Sequence, residues 1–569
     1  MKAVARIARD SWYTGNVHIG QAPYCVFFEG WDSTPRGTII PWARPRTRKR
    51  DGIKEYIWDF GDGSPKASGF AVSHCYTNVG VFTATLTVRG YDGTEDTTSL
   101  DITITLPKNP PYFVDGELGN DSNDGLTPVT AWKTLTKVRS MLLAGAINSQ
   151  YVYLKRGSMY DLVPDLRPKG SQICFLSYGD GPSPVIRRSG TNNISLFNST
   201  HGDFSRVTFL DIIFDSKSAE GVTGNIWDQK GRCFNVAFIN CTFLNAAQSV
   251  TVNRPGFESF ALNSASCVFF DGCTFRDSTS LHIFFRGKYL AMTNCIIEKS
   301  GNHGAYVSWV QGGVFHNNTF QEISPARTCL RVSGAANQNN WDYPSKNVSI
   351  RGNRFNGQVS HEFVVEIAPN TKTFPQKITN VEFIGNTVYE GRTLLAISST
   401  EDLLVEGNTL ISDTDDGTYS SRINLSPRFN TCSLKNIHIL NNTIRSNTKR
   451  KSSVGRTIGI FPGVDGSLHE NIVIEDNTIT MLNGTEYGLF FAVPIEQLPL
   501  IHTQNDWLQV DRCENKTVCV GSNEYTFNSW FEYTGNEVPP PSDTDLVRVE
   551  LELTRGQLKK LILELEKGL

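Results

Sequence analysis

Residues 238–247 read FINCTFLNAA, and the word Asn-Cys-Thr-Phe inside this stretch returns in altered form between residues 211 and 479. The later variants are DGCTF, TNCII, HNNTF, RGNRF, IGNTV, EGNTL, LNNTI and EDNTI. At the closest spacing the words begin at Gly272, Asn294 and Asn317, which are 22 and 23 residues apart. This period is about one turn of a three-stranded β-solenoid, and the longer intervals indicate loops inserted in the same frame.

Two positions within the repeated word carry the fold prediction. The second position reads Ile212, Cys241, Cys273, Cys295, Asn318, Asn353, Asn386, Asn408, Asn442 and Asn477. The fourth reads Phe214, Phe243, Phe275, Ile297, Phe320, Phe355, Val388, Leu410, Ile444 and Ile479. Asparagines on successive rungs can bond along a stack of strands about 4.8 Å apart, and the apolar column has to point inward. The sequence therefore predicts a parallel β-helix, a rod of ten rungs about 43 Å long over this region.

Composition sets broad limits. The chain has 569 residues, a formal net charge of −3, 39% hydrophobic and 20% charged residues, which is typical of a globular protein of two or three units. We expect no nucleic-acid partner and no membrane span, since the charge is near zero and no long apolar run occurs. The N-terminus has no apolar segment of a signal peptide. Cys241, Cys273 and Cys295 share one repeat position, which favours buried free thiols and folding in a reducing cytoplasm.

The first hundred residues carry a different pattern. YIWDFGDG (56–63) predicts a tight turn whose carboxylates, Asp59 and Asp62, accept backbone N–H groups. In the following SHCYTNVGVFTATLTV (73–88), residues from Val81 to Val88 alternate between two faces. Together with APYCVFFEGWDS (22–33) and SLDITIT (99–105), this region resembles a PKD domain, an immunoglobulin-like β-sandwich. PKD domains generally act as spacers or as attachment modules. A basic insertion at 36–52 is either a docking loop or a solvated one.

The entry to the rod follows a proline-rich linker, LPKNPP (106–111). Residues 112–138 read as a strand, a Gly/Asn/Asp-rich turn and a helix that begins near Thr130 or Ala131. This order resembles the start of right-handed parallel β-helix proteins of the pectate-lyase-like superfold, in which a helix seals the open end. Asp121 and Asp124 could bind Ca²⁺, but a turn is the simpler interpretation.

The C-terminus predicts an oligomerisation element. LVRVELEL (546–553) alternates like a strand with one buried face, and residues 554–565 have the spacing of a short amphipathic helix. This element is too small to fold alone, so it packs against identical copies, most simply as a homotrimer, or against the rod itself.

The order of these parts resembles a bacteriophage tailspike or related virion fibre. The predicted fold class is all-β: an immunoglobulin-like PKD sandwich, a right-handed parallel β-helix and a small C-terminal strand–helix element. The predicted domains are 1–106 (sandwich), 107–145 (linker and capping helix), 146–510 (β-helix), 511–545 (β-rich extension and linker) and 546–569 (oligomerisation element). The resemblance implies a virion location, folding in the host cytoplasm, release by lysis, and contact with other virion proteins through the N-terminal module.

The candidate site lies on the strands that precede the inserted loops. Placing Leu330, Val332, Val365, Ile367, Leu395, Ile397, Ile423 and Leu425 inward turns the alternate residues outward. The outward set is then Tyr306, Ser308, Arg331, Glu362, Val364, Glu366, Ser398, Arg422, Asn424 and Ser426, with His303 at its edge. Overhanging loops add Trp341, Tyr343, Asp413, Asp415 and Asp416. Aromatic rings beside carboxylates and arginines suit sugar binding.

Three functions are compatible with this set. Hydrolysis of a bacterial surface polysaccharide is preferred, with Glu366 as the first catalytic candidate and Glu362, Asp415 or Asp416 as the second carboxyl group. The predicted substrate-binding residues are Arg331, His303, Tyr306, Trp341, Tyr343 and Arg422, with Arg331 contacting an acidic sugar. A non-catalytic virion adhesin, or a capsid or tail decoration fibre, is the second possibility. A polysaccharide lyase using His303, Tyr306, Arg331 or His282 as a base is the third. No cofactor and no metal are predicted.

Overall fold

The structure is a computed structural model. The described residues are 1–8, 18–34, 52–162, 166, 172–189, 197–199, 204–217, 225–229, 233–247, 249–252, 265–336, 342–358, 360–369, 377–413, 421–425, 434–447, 455–461, 469–482, 486–492, 501–510, 518–520 and 523–525. The predicted basic insertion and the C-terminal element lie outside the described residues. In the described part, no helix has the length and apolar character to cross a membrane.

The N-terminal region is a sandwich of two sheets. The three-stranded sheet has the order Arg6–Ile7, Tyr24–Glu29, Ala71–Tyr76, and the five-stranded sheet has the order Ile19–Gln21, Glu95–Thr105, Gly80–Gly90, Ile53–Asp59, Ala67–Ser68. The predicted alternation is confirmed: Ala84, Leu86 and Val88 are buried in the sandwich core, whereas Val81 is 69% exposed.

The predicted turn is confirmed as well. Asp59 accepts a hydrogen bond from the Gly61 N–H (3.1 Å), and Asp62 accepts one from the Ser64 N–H (3.1 Å) and lies 2.7 Å from His74 Nε2. Gly61 has a φ of 75°, and a Cβ there would lie 2.5 Å from the Thr83 carbonyl oxygen. This position therefore requires glycine.

The described residues from Tyr112 onward form a right-handed parallel β-helix with three faces, named sheets A, B and C. Sheet A contains Tyr112–Val114, Tyr151–Lys155, Ile173–Tyr178, Phe204–Leu210, Cys233–Ile239, Ala265–Asp271, Leu290–Thr293, Gly313–His316, Lys346–Arg351, Ile378–Ile384, Thr400–Glu406, Lys435–Leu440, the start of Glu470–Leu482, and Ile501–Val510. Sheet B contains Met159–Leu162, Val185–Arg188, Ile213–Asp215, Thr242–Leu244, Thr274–Ser278, Ile296–Ser300, Thr319–Ile323, Arg354–Asn356, Thr387–Tyr389, Thr409–Ser412, Thr443–Asn447 and the end of Glu470–Leu482. Sheet C contains Phe197–Ser199, Trp227–Gln229, Val250–Val252, Ile283–Gly287, Ala305–Val310, Leu330–Val332, Phe363–Ile367, Thr393–Ile397, Ser421–Leu425, Gly455–Ile460, Glu486–Phe491, Val518–Val520 and an antiparallel last strand, Asn523–Tyr525. A two-stranded hairpin, Ala335–Ala336 with Asp342–Tyr343, branches from sheet C.

The repeated word forms the corner between sheets A and B. Its first residue has a left-handed φ on every rung, for example 59° at Asp211, 50° at Asn240 and 63° at Gly272. Asn, Asp and Gly tolerate this conformation better than other residues, which explains why only these three types occur there. The word is therefore a turn followed by the first residues of a sheet B strand.

The predicted asparagine ladder is confirmed. At each rung the side-chain amide donates to a strand carbonyl and to the next asparagine: Asn386 Nδ2 lies 3.0 Å from Ile350 O and 3.1 Å from Asn408 Oδ1. The Asn386 Oδ1 atom in turn accepts the Asn353 backbone N–H at 2.9 Å. The ladder continues one rung beyond the prediction, to Asn505.

The cysteines of the repeated word also lie in the rod core. Cys241, Cys273 and Cys295 are free and buried, as predicted, and each thiol points at a strand carbonyl, for example Cys273 Sγ at 3.2 Å from Phe238 O. Cys25 and Cys75, directly opposite each other in the three-stranded sheet, form a disulfide. The sequence left the state of this pair open, and the pairing of two separate sandwich strands brings the two residues together.

The capping helix, Leu135–Leu143, begins later than predicted. Residues 131–132 are extended instead, because Trp132 pairs with Val114 and its carbonyl accepts the Asp115 N–H. Asp121 accepts the backbone N–H groups of Lys133 and Thr134, and Thr134 caps the helix by accepting the Lys137 N–H. The Asp121 carboxylate is thus part of the turn.

The sandwich packs against the outer side of sheet A. Phe27 and Ala71 of its three-stranded sheet, with Phe70 just before the last strand, join an apolar cluster completed by rod residues including Phe234 and Phe269. Polar contacts flank this cluster: Tyr151 donates to the Ala22 carbonyl (2.7 Å), and the Phe70 N–H donates to Glu382 Oε1 (3.3 Å). Sheet A is therefore covered over much of its length.

Glu382 is the charged centre of this junction. It is 4% exposed, forms two hydrogen bonds with Arg351 (2.8 and 2.6 Å), and accepts one from Ser349. Burial alone would raise the pKa of Glu382, but the charge of Arg351 and these hydrogen bonds outweigh burial and hold the pKa below its ordinary value.

Glu382→Gln is expected to lower the free energy of unfolding by about 2 kcal/mol, because Arg351 loses its charged partner in a buried place. Urea-induced unfolding at neutral pH would measure this. Glu401→Gln is the matched control, since Glu401 pairs with Lys377 on the exposed surface and should change stability by less than about 1 kcal/mol. Equal effects of the two substitutions would contradict the proposed importance of the junction.

Candidate functional site

Sheet C presents one row of side chains to the outside of the rod, because its strands stack in register. Tyr306 pairs with Phe284 on one neighbouring strand and with Arg331 on the other, and Arg331 pairs with Glu366. The register then continues to the C-terminal rungs. We call this set the outer row: Thr251, Phe284, Tyr306, Arg331, Glu366, Ala396, Asn424, Gly459 and Phe490.

The inward residues of these strands are as predicted. Leu330, Val332, Val365, Ile367, Leu395, Ile397, Ile423 and Leu425 are all buried in the rod core. Alternation along each strand therefore places the outer row on the opposite face.

The first aromatic cluster lies on three adjacent rungs and consists of Phe284, Arg286, Tyr306 and Arg331. The Arg331 guanidinium lies over the Tyr306 ring at 5.1 Å, and the Tyr306 ring meets the edge of Phe284 at 5.3 Å. Arg286 lies over Phe284 at 5.5 Å and donates to the Ser308 hydroxyl at 3.2 Å. Burial lowers the pKa of Arg286. The cluster presents half-buried rings with guanidinium groups held against them.

Glu366 extends this cluster by one rung. Its Oε2 atom is 3.3 Å from Arg331 Nε, and its side chain is 2% exposed. The prediction that Glu366 is solvent-facing is wrong, because neighbouring rungs are so close that the long Arg331 side chain lies against the carboxylate. Its predicted catalytic role is untested. Glu362 is exposed at the start of the same strand, so the two carboxyl groups occupy different environments.

Arg422 and Val364 were predicted to face outward, and both are buried. The strand bends at the corner between sheets B and C, so residues at its beginning lie under the preceding turn rather than on the face. Arg422 Nη1 donates to the carbonyls of Gly391 (3.0 Å) and Arg392 (3.2 Å), and Nε donates to Ser446. These bonds give Arg422 a structural position at the corner. Ser308 and Ser398 are buried as well, which contradicts their predicted exposure.

The two histidines considered as bases also belong to the corner. His303 is 9% exposed, and its Nδ1 atom accepts the Thr328 backbone N–H (3.1 Å), so Nε2 carries the proton. His282 is completely buried, with Nε2 donating to the Glu298 carbonyl (2.7 Å), and burial lowers its pKa to about 4. Both rings are largely enclosed at the corner, and their role as bases stays a prediction.

The remaining predicted residues lie in or beside the loops. Asp415, Asp416, Trp341 and Ser426 are outside the described residues. The backbone of Tyr343 pairs with Ala335 in the hairpin that branches from sheet C. Asp413 is exposed and forms an ion pair with Arg445 (2.8 Å). Within the described ranges, no group of three or more His, Cys, Asp or Glu side chains is arranged to hold a metal ion.

Sequence reasoning missed a second aromatic cluster at the far end of sheet C, formed by Arg456, Phe461 and Phe490. The Arg456 guanidinium lies 3.7 Å from the centre of the Phe490 ring and 5.2 Å from that of Phe461, and the two rings are 5.7 Å apart. Gly459 makes this packing possible, since a Cβ there would lie 2.9 Å from Phe461 Cε2. Extending the outward parity from Asn424 to GRTIGIF (455–461) would have found Phe461.

The comparison with family models agrees with the N-terminal sandwich. Residues 21–104 match the family model of the PKD domain. No curated protein matches the chain.

Among solved structures, one from a study of carbohydrate-binding modules of the β-sandwich superfamily matches 20% of this chain, at 19% identity and a TM-score of 0.15. The match covers 37% of that protein's length. The Family 28 exopolygalacturonase of Yersinia enterocolitica matches 95% of this chain and 99% of its own length, at 9% identity and a TM-score of 0.41. A GH87 α-1,3-glucanase catalytic domain matches 80% and 81%, at 11% identity and a TM-score of 0.38. The last two structures are therefore polysaccharide-degrading enzymes. These TM-scores are low, and the similarities carry no argument about this chain's function.

Proposed function

We propose that this protein binds a bacterial surface polysaccharide along the outer row of sheet C, as the rod of a homotrimeric bacteriophage tailspike. The observation that carries this proposal is the continuous stack of Phe284, Tyr306, Arg331 and Glu366 on four successive rungs. Aromatic rings provide apolar faces for sugar rings, and guanidinium groups provide forked hydrogen bonds to hydroxyl and carboxylate oxygens.

The rod geometry fits an extended polymer. Successive rungs are separated by about 4.8 Å, which is similar to the advance of one sugar along an extended polysaccharide. A ligand lying parallel to the rod axis would meet one outer-row side chain for each sugar. Because the rungs are fixed by backbone hydrogen bonds, the sugar-binding side chains need little ordering on binding.

The tailspike assignment rests on the order of the parts in the sequence. A PKD-like module precedes the rod, and a strand–helix element suited to trimerisation follows it. In this proposal the protein folds in the host cytoplasm, is released by lysis and resides in the virion. The five-stranded sheet of the sandwich, with exposed residues such as Val81, would contact other virion proteins.

Cleavage of the bound polysaccharide is the second part of the proposal. Hydrolysis requires two carboxyl groups roughly 5–9.5 Å apart at the scissile bond. Glu366 lies on the outer row, but its carboxylate is buried against Arg331, so it would act only after substrate displaces that arginine. The partner carboxyl group would be Asp415, Asp416 or a residue of a neighbouring subunit.

Tyr306→Ala is expected to weaken polysaccharide binding about tenfold, because it removes the ring that contacts both Phe284 and Arg331. The ligand would be found by screening purified capsular polysaccharides and lipopolysaccharides, and affinity would be measured by biolayer interferometry. Tyr389→Ala is the matched control: Tyr389 also lies under an arginine, Arg354 at 4.5 Å, but on sheet B. Loss of binding in the control, or none in Tyr306→Ala, would refute the placement on sheet C.

The same polysaccharide distinguishes the three activities. Mass spectrometry of released fragments would show intact repeat-unit masses for a hydrolase and masses lower by one water for a lyase. Binding without released fragments would favour the adhesin interpretation. The absence of both binding and cleavage would refute the proposed function.

A further inference from the structure

We infer that the polysaccharide is anionic and long, and that it bridges the first aromatic cluster (Phe284, Arg286, Tyr306 and Arg331) and the second aromatic cluster (Arg456, Phe461 and Phe490). This inference rests on the polysaccharide binding proposed above. It adds a second contact region on sheet C and two properties of the ligand, its charge and its minimum length.

The two clusters have the same construction. In each, a guanidinium group is packed on aromatic rings: Arg331 on Tyr306 at 5.1 Å and Arg456 on Phe490 at 3.7 Å. Packing on a ring restricts the orientation of the guanidinium plane. An arginine fixed in this way is suited to forked hydrogen bonds with a carboxylate or another planar anion.

Each cluster also includes a member of the outer row. Tyr306 and Phe490 both belong to the outer row, and six register steps separate their rungs. At about 4.8 Å for each step the separation is about 29 Å, so a bridging chain contains roughly six sugars. Between the clusters the outer row carries smaller residues at Ala396, Asn424 and Gly459, whose short side chains would not block a polymer lying along the row.

Charge complementarity identifies the ligand as an anion. Among the described side chains of the outer row and the two clusters, there are three arginines, Arg286, Arg331 and Arg456, and one carboxylate, Glu366, which pairs with Arg331 and leaves two further positive charges. This local excess of positive charge contrasts with the net charge of −3 of the whole chain. A polymer with repeated carboxylates matches such a face, and its binding should weaken as ionic strength rises.

The test uses the polysaccharide that binds most tightly in a panel containing equal numbers of acidic and neutral capsular polysaccharides. Partial acid hydrolysis and size separation give fragments of two to twelve sugars, and dissociation constants are measured for each length. For the wild-type protein we expect affinity to rise about tenfold once fragments exceed about six sugars. Phe490→Ala should abolish that rise, so that long fragments bind no more tightly than short ones.

Arg456→Gln keeps the ring packing and provides a second variant if Phe490→Ala fails to fold; it should show the same loss for long fragments. Arg354→Gln, on sheet B, is the control and should behave like the wild type. A neutral polysaccharide as the tightest ligand, an undiminished rise in both variants, or equal weakening of short and long fragments would overturn the inference while leaving the proposed function intact. Absence of any bound polysaccharide would instead refute the proposed function.

Discussion

Lowering the pH from about 6.5 to about 4 is expected to destabilise the folded chain by on the order of 3 kcal/mol for each of three buried histidines. Burial lowers the pKa of His282 to about 4, of His316 to about 3 and of His361 to about 4. In the unfolded chain each has an ordinary pKa near 6.5, so below that pH the unfolded state binds more protons than the folded state. The stability contributed by each neutral ring is complete above about pH 6.5 and is lost as the pH falls toward the folded pKa.

The surroundings of His316 show why protonation is unfavourable. Burial is the larger cause, and the nearby Arg351 charge adds to it. The Nε2 atom lies 2.6 Å from Ser349 Oγ, which itself donates to Glu382, so the neutral ring already has its hydrogen bond. Glu29 opposes the trend: burial raises its pKa to about 7, so its contribution grows as the pH falls from about 7.

Urea-induced unfolding at several pH values between 5 and 6.5 would check this expectation. The slope of the unfolding free energy against pH should correspond to a net uptake of protons on unfolding, because the histidines with a lowered pKa outnumber Glu29, whose raised pKa acts in the opposite sense. His316→Gln preserves a donor toward Ser349 and should reduce the uptake by about one. A stability independent of pH in this range, or an unchanged slope in the variant, would show that the buried rings do not control acid sensitivity.

Asn442→Ala is expected to lower the free energy of unfolding by about 3–5 kcal/mol, because it breaks the asparagine ladder in the rod interior. The Asn442 amide donates to Val405 O (3.0 Å) and Asn477 Oδ1 (2.8 Å), and Oδ1 accepts both the backbone N–H and the side-chain amide of Asn408. Alanine leaves all four partner groups without this partner at a site where Asn442 is 1% exposed.

Thr443→Ala is the matched control, one residue further on in the same word. Its side chain is exposed on sheet B, so its removal should change stability by less than about 1 kcal/mol. Both variants would be compared with the wild type by urea unfolding and by the rate of limited proteolysis. Equal stability of Asn442→Ala and Thr443→Ala would mean that the ladder is not an energetic element of the rod.

The candidate site was predicted only in part, and the reason lies in the corners of the rod. Strand alternation correctly separated the inward column, such as Val365 and Ile367, from Tyr306 and Arg331. It failed at Arg422 and Val364, because a strand that has just turned a corner lies beneath the previous turn and parity no longer gives exposure. It also gave no indication that Arg331 would cover Glu366, since the two residues come from different rungs.

The sequence alone determined the period of the rod, the asparagine ladder and the sandwich turn at Asp59 and Asp62. Each depends on residues whose conformation or hydrogen bonding is local, or is repeated identically on every rung. The tertiary structure alone decided which faces remain uncovered. Docking of the sandwich on sheet A and the meeting of Phe461, Phe490 and Arg456 depend on contacts between distant segments, which neither periodicity nor local propensity encodes.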